Sequence, residues 1–201
     1  AIYAAKKYGC HVTTTTISKQ QYQYVKEKIS QLKLDKKITV LLKDYRDLEG
    51  SYDKLVSIEM IEAVGHHYYN SYFKVISQLL KADGQALIQA ITIKDQRYKQ
   101  AIKSIDFIQK YIFPGSCIPS LTAIQNSLTH STDLVINQVD DIGHHYAVTL
   151  QQWRENFVMN LAKIHKLGFD DYFTRMWIFY LCYCEGGFLE RSISDLSLIH
   201  I

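Results

Sequence analysis

The sequence predicts an α/β fold, a doubly wound sheet with helices on both faces. Strand-like runs rich in β-branched and apolar residues alternate with helix-like runs, and short polar turns separate them. Two of the strand-like runs, ITVLLKD at 38–44 and DKLVSIEM at 53–60, suit parallel strands covered on both faces. The chain of 201 residues is long enough to bury a real core within one domain spanning 1–201.

The elements follow in order. Residues 1–8 read as the end of a helix closed by Gly9, and CHVTTTTI at 10–17 reads as a strand. Ser18 opens a helix running to about Leu32, with Gln21 at capping-box spacing. The strands at 38–44 and 53–60 come next. Residues 68–80 carry apolar groups at helical spacing, Asp83-Gly84 ends that unit, and GQALIQAITI is the following strand. After Ile93 the rhythm breaks. Residues 94–130 hold a charged linker, an apolar stretch, the turn YIFPGSCIPS and a helix from about Ser120. DLVINQVDDI at 133–142 resumes the sheet, helices follow at about 150–167 and 170–185, and 193–201 reads as a final strand. Segments 94–131 and 150–185 fit a lid over the C-terminal edge of the sheet, where open α/β sheets bind ligands.

No G-x-G-x-x-G loop occurs, although a nucleotide-binding sheet carries one between its first strand and first helix. The sequence begins in what would be that first helix. The first strand and its loop are therefore expected upstream, the strand lying between those formed by 12–17 and 53–60.

Several function classes are disfavoured. A net charge of +3, with no Lys/Arg stripe and no aromatic-basic interleaving, argues against nucleic acid as a partner. The longest apolar runs, such as MWIFYLCYC at 176–184, are too short to span a bilayer. No secretory leader pattern opens the sequence, and Cys10, Cys117, Cys182 and Cys184 lack zinc or redox spacing, so reduced thiols in a cytoplasmic protein are expected. Adjacent histidines point in different directions, so His66-His67 and His144-His145 are not expected to bind metal.

Six segments carry a resemblance: VTTTTISKQQ (12–21), DYRD (44–47), DKLVSIEMIEAVGHHYYNSYF (53–73), YIFPGSCIPS (111–120), DIGHHYAVTLQQWRENF (141–157) and RMWIFYLCYCEGGFLER (175–191). Together and in this order they resemble the cyclopropane-fatty-acyl-phospholipid synthase family, which includes the mycolic acid cyclopropane synthases. The resemblance implies a Rossmann-like class I methyltransferase sheet, S-adenosylmethionine as donor and the double bond of an unsaturated phospholipid acyl chain as acceptor. It implies that the alkene attacks the sulfonium methyl and that a bound bicarbonate takes a proton from the resulting carbocation, closing a cyclopropane ring. Three alternatives stay open: a methyl-branching enzyme, a small-molecule methyltransferase, and a lipid- or cofactor-binding protein without catalysis. Peripheral contact with the inner face of the membrane follows from a membrane-lipid substrate, and a homodimer stays open.

Residue by residue, the resemblance places Glu62, the backbone of Ile91 and the hydroxyl of Tyr146 around the bicarbonate. Gln89 stands where better-known members carry histidine. Its amide can donate to an anion but cannot pass a proton. Cys184 matches a cysteine often labelled as the active-site residue, yet the chemistry gives a thiol no task beyond lining a pocket. Thr16, Gln21, Tyr45 and Arg46 match positions that contact the donor. Each residue also has a plainer explanation. Gln21 suits the capping box, Glu62 suits a solvated strand end, and Tyr146 is one of 15 tyrosines, for which core packing is the default. Glu59, where better-known members carry a small residue, reads as a local salt-bridge partner.

Overall fold

The structure, a computed structural model, describes residues 1–200, with side chains through Leu198. The chain forms two compact units, 1–50 and 51–201.

The first unit contains α1 (Ile2–Lys7), β1 (Val12–Thr16), α2 (Lys19–Gln31) and β2 (Ile38–Leu42), followed by a 3₁₀ turn at Tyr45–Asp47. β1 and β2 pair in parallel, Val12 beside Ile38. Ala5, Ile29 and Ile38 are buried together, with Val12, Val25 and Leu34 packed around them. Ser18 caps α2, its hydroxyl accepting the Gln21 N–H at 3.2 Å. The expected reciprocal half is absent, because the Gln21 side chain turns instead to the Thr16 hydroxyl. The reciprocal capping box lies elsewhere, at Asp106 and Gln109. Ser18→Ala should cost about 1 kcal/mol, as N-cap removal does. Amide exchange along α2 should then quicken roughly fivefold; unchanged exchange would show that the cap contributes nothing.

The second unit opens with β3 (Tyr52–Ile58), α3 (Tyr69–Leu79) and β4 (Leu80–Ile93). It continues through α4 (Asp95–Ala101), α5 (Phe107–Tyr111), α6 (Leu121–Ser131) and β5 (Ile136–Asp141). α7 (Gly143–Met159), α8 (Leu161–Lys166), α9 (Asp171–Leu189) and β6 (Ile193–His200) complete it. Its sheet has the order β3-β4-β6-β5. β3 and β4 are parallel, whereas β6 runs antiparallel to both neighbours.

β4 begins at Leu80, four residues before the expected Gly84, because Leu80 already pairs with Tyr52. The register then jumps to Lys54 beside Gln85, so residues 81–84 bulge out. A Cβ at Gly84 would lie 2.9 Å from the Lys81 carbonyl oxygen, so only glycine closes the bulge without a shift. Along β4, Ala86, Ile88, Ala90 and Thr92 are buried on one face. Register sets Ser57 of β3 beside Ile88, and the Tyr72 hydroxyl of α3 donates to Ser57 at 2.7 Å, so α3 covers that face. α6 packs on α3, with Ile124 and Leu128 fully buried, and so belongs to the covering layer. The other face carries Gln89 and Ile91. Ile91 packs against the cluster of Ala147, Leu150, Leu181 and Phe188 on α7 and α9. Helices therefore lie on both faces, as the sequence predicts.

α7 starts at Gly143 rather than near residue 150, which places Tyr146 in a helix. Gly143 permits this start. A Cβ there would meet the Ser194 hydroxyl at 2.5 Å and the Asp195 nitrogen at 3.1 Å. The junction is fastened by the Ile142 N–H donating to the Asp195 carbonyl at 2.9 Å and by the Ser194 hydroxyl on Asp141.

Candidate active site

The topology gathers chemistry at one edge of the second sheet. β3, β4 and β5 end there and β6 begins there, since β6 alone runs the other way. Glu59 and Glu62 follow β3, Gln89 and Ile91 lie near the end of β4, Tyr146 sits one turn into α7, and Asp195 opens β6.

These side chains form two adjoining hydrogen-bonded groups, one around Glu59 and one at Glu62. The Tyr146 hydroxyl donates to Glu59 Oε2 at 3.0 Å. Gln89 Nε2 donates to Glu59 Oε1 at 3.2 Å and to Asp195 Oδ2 at 2.7 Å. The Ile91 N–H donates to Glu62 Oε1 at 2.6 Å. Glu62 Oε2 and Asp195 Oδ1 are buried and have no hydrogen-bond partner among the described residues. Three carboxyl groups thus share one amide, one phenol and one backbone N–H.

Burial pushes Glu62 up to about 7; its own N–H and that of Ile91 oppose the rise, and the charges of Glu59 and Asp195 add to it. Burial likewise raises Asp195 to about 6, opposed by the Gln89 hydrogen bond and aided by Glu59. Burial, with Glu59 beside it, raises the Tyr146 phenol, which stays protonated and able to donate. The Tyr146 ring stacks on Phe188 at 4.7 Å and meets Trp153 edge-on at 6.3 Å, so one wall of the site is aromatic. The loop after α5 closes another side. The Cys117 N–H donates to the Glu62 carbonyl, and the Tyr69 hydroxyl donates to the Cys117 carbonyl, both at 2.7 Å.

Of the residues singled out from the sequence, Glu62, Gln89, Ile91 and Tyr146 are brought together here. Cys184 packs against the α7–α9 cluster, and burial pushes its thiol up to about 11, so it is no nucleophile at neutral pH. The expected bicarbonate meets an obstacle, because the Gln89, Ile91 and Tyr146 donors that would hold it are spent on carboxylates of the chain itself. Glu59 is not the salt-bridge partner expected; its oxygens accept from Gln89 and Tyr146. Asp195 was missed. The alternation of SISDLSLI could have flagged it, since Leu196 and Leu198 face the core and an acid in that strand must find a partner.

The four remaining residues belong to the first unit. Thr16 and Gln21 join at the end of β1, the Thr16 hydroxyl donating to Gln21 Oε1 at 2.7 Å. Gln21 Nε2 keeps no partner among the described residues. Tyr45 and Arg46 lie in the turn after β2, where Arg46 grips Asp44 through two 2.9 Å bonds and holds that carboxyl down at about 2.

Comparison with known proteins shows the family and the class of fold. The sequence profile of the mycolic acid cyclopropane synthetase family matches residues 1–198. The tuberculostearic acid methyltransferase UfaA1 of Mycobacterium tuberculosis is 39% identical over 180 residues, which is 90% of this chain and 42% of that protein. The cyclopropane-fatty-acyl-phospholipid synthase of Escherichia coli K12 is 36% identical over 194 residues, which is 96% of this chain and 48% of that protein. The chain therefore spans less than half the length of these two relatives. The crystal structure of the mycolic acid cyclopropane synthase CmaA1, complexed with SAH and CTAB, superposes with a TM-score of 0.89 at 25% identity, over 99% of this chain and 72% of that one. Both the expected family and the expected class of fold are shown.

Proposed function

Because the chain belongs to the mycolic acid cyclopropane synthetase family, we propose that it moves a one-carbon unit from S-adenosylmethionine to the double bond of an unsaturated phospholipid acyl chain. The observation that supports this reading best is the half-buried carboxyl network at the sheet edge, walled by Tyr146, Phe188 and Trp153. S-adenosylmethionine, when bound, supplies an electrophilic methyl on a sulfonium. Thr16 and Gln21 would hold it, with the turn at Tyr45 and Arg46. A joined hydroxyl–amide pair with a free Nε2 suits a polar ligand, so this donor set fits the cofactor.

At the network, the chain's own residues stabilise charge and move a proton. Aromatic faces of Tyr146 and Trp153 ease the positive charge that develops on the acyl carbon. A carboxyl group then takes the proton that must leave. Glu62, poised near neutrality with one oxygen fixed and the other bare, can hold or release a proton beside them at physiological pH. Bicarbonate does not fit, since its donors are occupied and bare carboxylate oxygens would face it. Tyr111, Phe113, Tyr172 and Phe179 are exposed on or beside α5 and α9 and offer a surface for the membrane face. Among the described residues no helix is long and apolar enough to cross a membrane.

Incubation with methyl-labelled S-adenosylmethionine and vesicles of monounsaturated phospholipid should place label in the acyl chain. Mass spectrometry then separates a ring, which adds one methylene, from a reduced methyl branch, which adds two further hydrogens. Label confined to small molecules, or no transfer with the donor bound, would overturn the proposal.

A further inference from the structure

We propose that Glu59 is a resident carboxylate standing in place of an external anion: it takes the proton released by the acyl chain, and the site neither binds nor needs bicarbonate. This rests on the lipid-modifying reading above.

The donors leave no room for another acceptor. An anion at this edge would need the Gln89 amide, the Ile91 N–H and the Tyr146 hydroxyl. Gln89 spends its amide on Glu59 and Asp195, Ile91 spends its N–H on Glu62, and Tyr146 spends its proton on Glu59. The buried side-chain atoms left without a partner among the described residues are both acceptors, Glu62 Oε2 and Asp195 Oδ1. A second anion placed among them would lose its water and gain repulsion.

The backbone points the same way. Glu59 has φ +48°, in the left-handed region that glycine occupies freely. Holding a glutamate there strains the backbone, and the surrounding contacts must hold it in place. The Glu59 N–H donates to the Gln89 carbonyl at 2.8 Å, which locks that conformation and aims the side chain at Gln89 and Tyr146.

The step balances. The C–H bond of the transferred methyl breaks, and its electron pair closes the third carbon–carbon bond of the ring. The proton passes to Glu59, leaving a neutral carboxylic acid that returns it to solvent before the next turnover. No oxidant or reductant is consumed.

The test combines activity in carbonate-free buffer with titration of ¹³C-bicarbonate followed by NMR, on the protein, Glu59→Gly and Glu59→Gln. The native protein should work equally well with and without bicarbonate and show no saturable binding. Glu59→Gly, which the backbone favours, should lose about 100-fold or more in carbonate-free buffer, the range of one acid–base group. It should bind bicarbonate and recover with it. Glu59→Gln keeps the seat filled and should be slow with or without the ion. A native requirement for bicarbonate, saturable native binding, a fully active Glu59→Gln, or a Glu59→Gly that does not take up the ion would each overturn the proposal. If no form modifies lipid, the functional reading fails, while the NMR titration still decides whether Glu59 excludes the anion.

Discussion

Glu62→Gln should make the protein more stable above neutral pH and nearly unable to modify lipid. Burial raises the Glu62 carboxyl from its ordinary 4.5 to about 7 in the folded state. The fold therefore binds this proton more tightly than the unfolded chain does. That contribution to stability is complete below about pH 4.5 and is lost as pH rises through about 7. A glutamine carries no charge to bury, so the variant avoids the loss. The gain at pH 8 should be on the order of 2 kcal/mol, below the full linkage value because the new amide N–H groups also need partners. Near pH 5 the two proteins should differ little. Lipid modification should fall by about 100-fold or more, as when an acid–base group is removed. Urea unfolding at the two pH values and labelled-methyl transfer measure the two effects. A stability difference independent of pH would show that Glu62 is not charged by deprotonation inside the fold, and an undiminished rate would remove it from the chemistry.

Much of this arrangement was legible in the sequence. The strand–helix rhythm marks the six strands of the described residues, and the resemblance points to Glu62, Gln89, Ile91 and Tyr146. What escaped has physical causes. The helix start at Gly143 was hidden because Gly-His-His-Tyr is a poor helix former, and the reason for the glycine is the approach of Ser194 and Asp195, 51 and 52 residues away in sequence. The Leu80 end of β4 was hidden because a bulge breaks the pattern between Leu80 and Gln85. Asp195 looked like one acid in a tail strand. Its meaning depends on antiparallel register, which sets it beside Ile91 and so within reach of Gln89. Glu59 was misread for a similar reason. A strand-end glutamate ordinarily reaches for a cation, but this one is turned inward by a left-handed backbone toward two neutral donors on different elements.

Gln89→Leu should be the most destabilising single change at this edge, and the pH dependence of its cost identifies the cause. The amide joins the ends of three neighbouring strands, giving one hydrogen bond to Glu59 after β3 and one to Asp195 on β6. Leucine is close in size and suits a half-buried strand position between Leu87 and Ile91, so packing alone predicts little loss. The cost comes from the carboxyls. Asp195 is only 1% exposed, and its Oδ1 already lacks a partner, so losing Gln89 strips its remaining hydrogen bond. Leaving such a group charged and unpaired costs on the order of 3 kcal/mol. Its folded-state titration, already raised to about 6 by burial, moves higher still without the amide. The unfolded chain titrates near 3.8, so the penalty is absent in acid and grows as pH rises through that window. Urea unfolding should therefore show a large deficit at pH 8 and a small one below pH 5. An equal deficit at both would trace the loss to packing of the strand rather than to its acids. In that case the amide would not be what allows three carboxyl groups to share one dry edge.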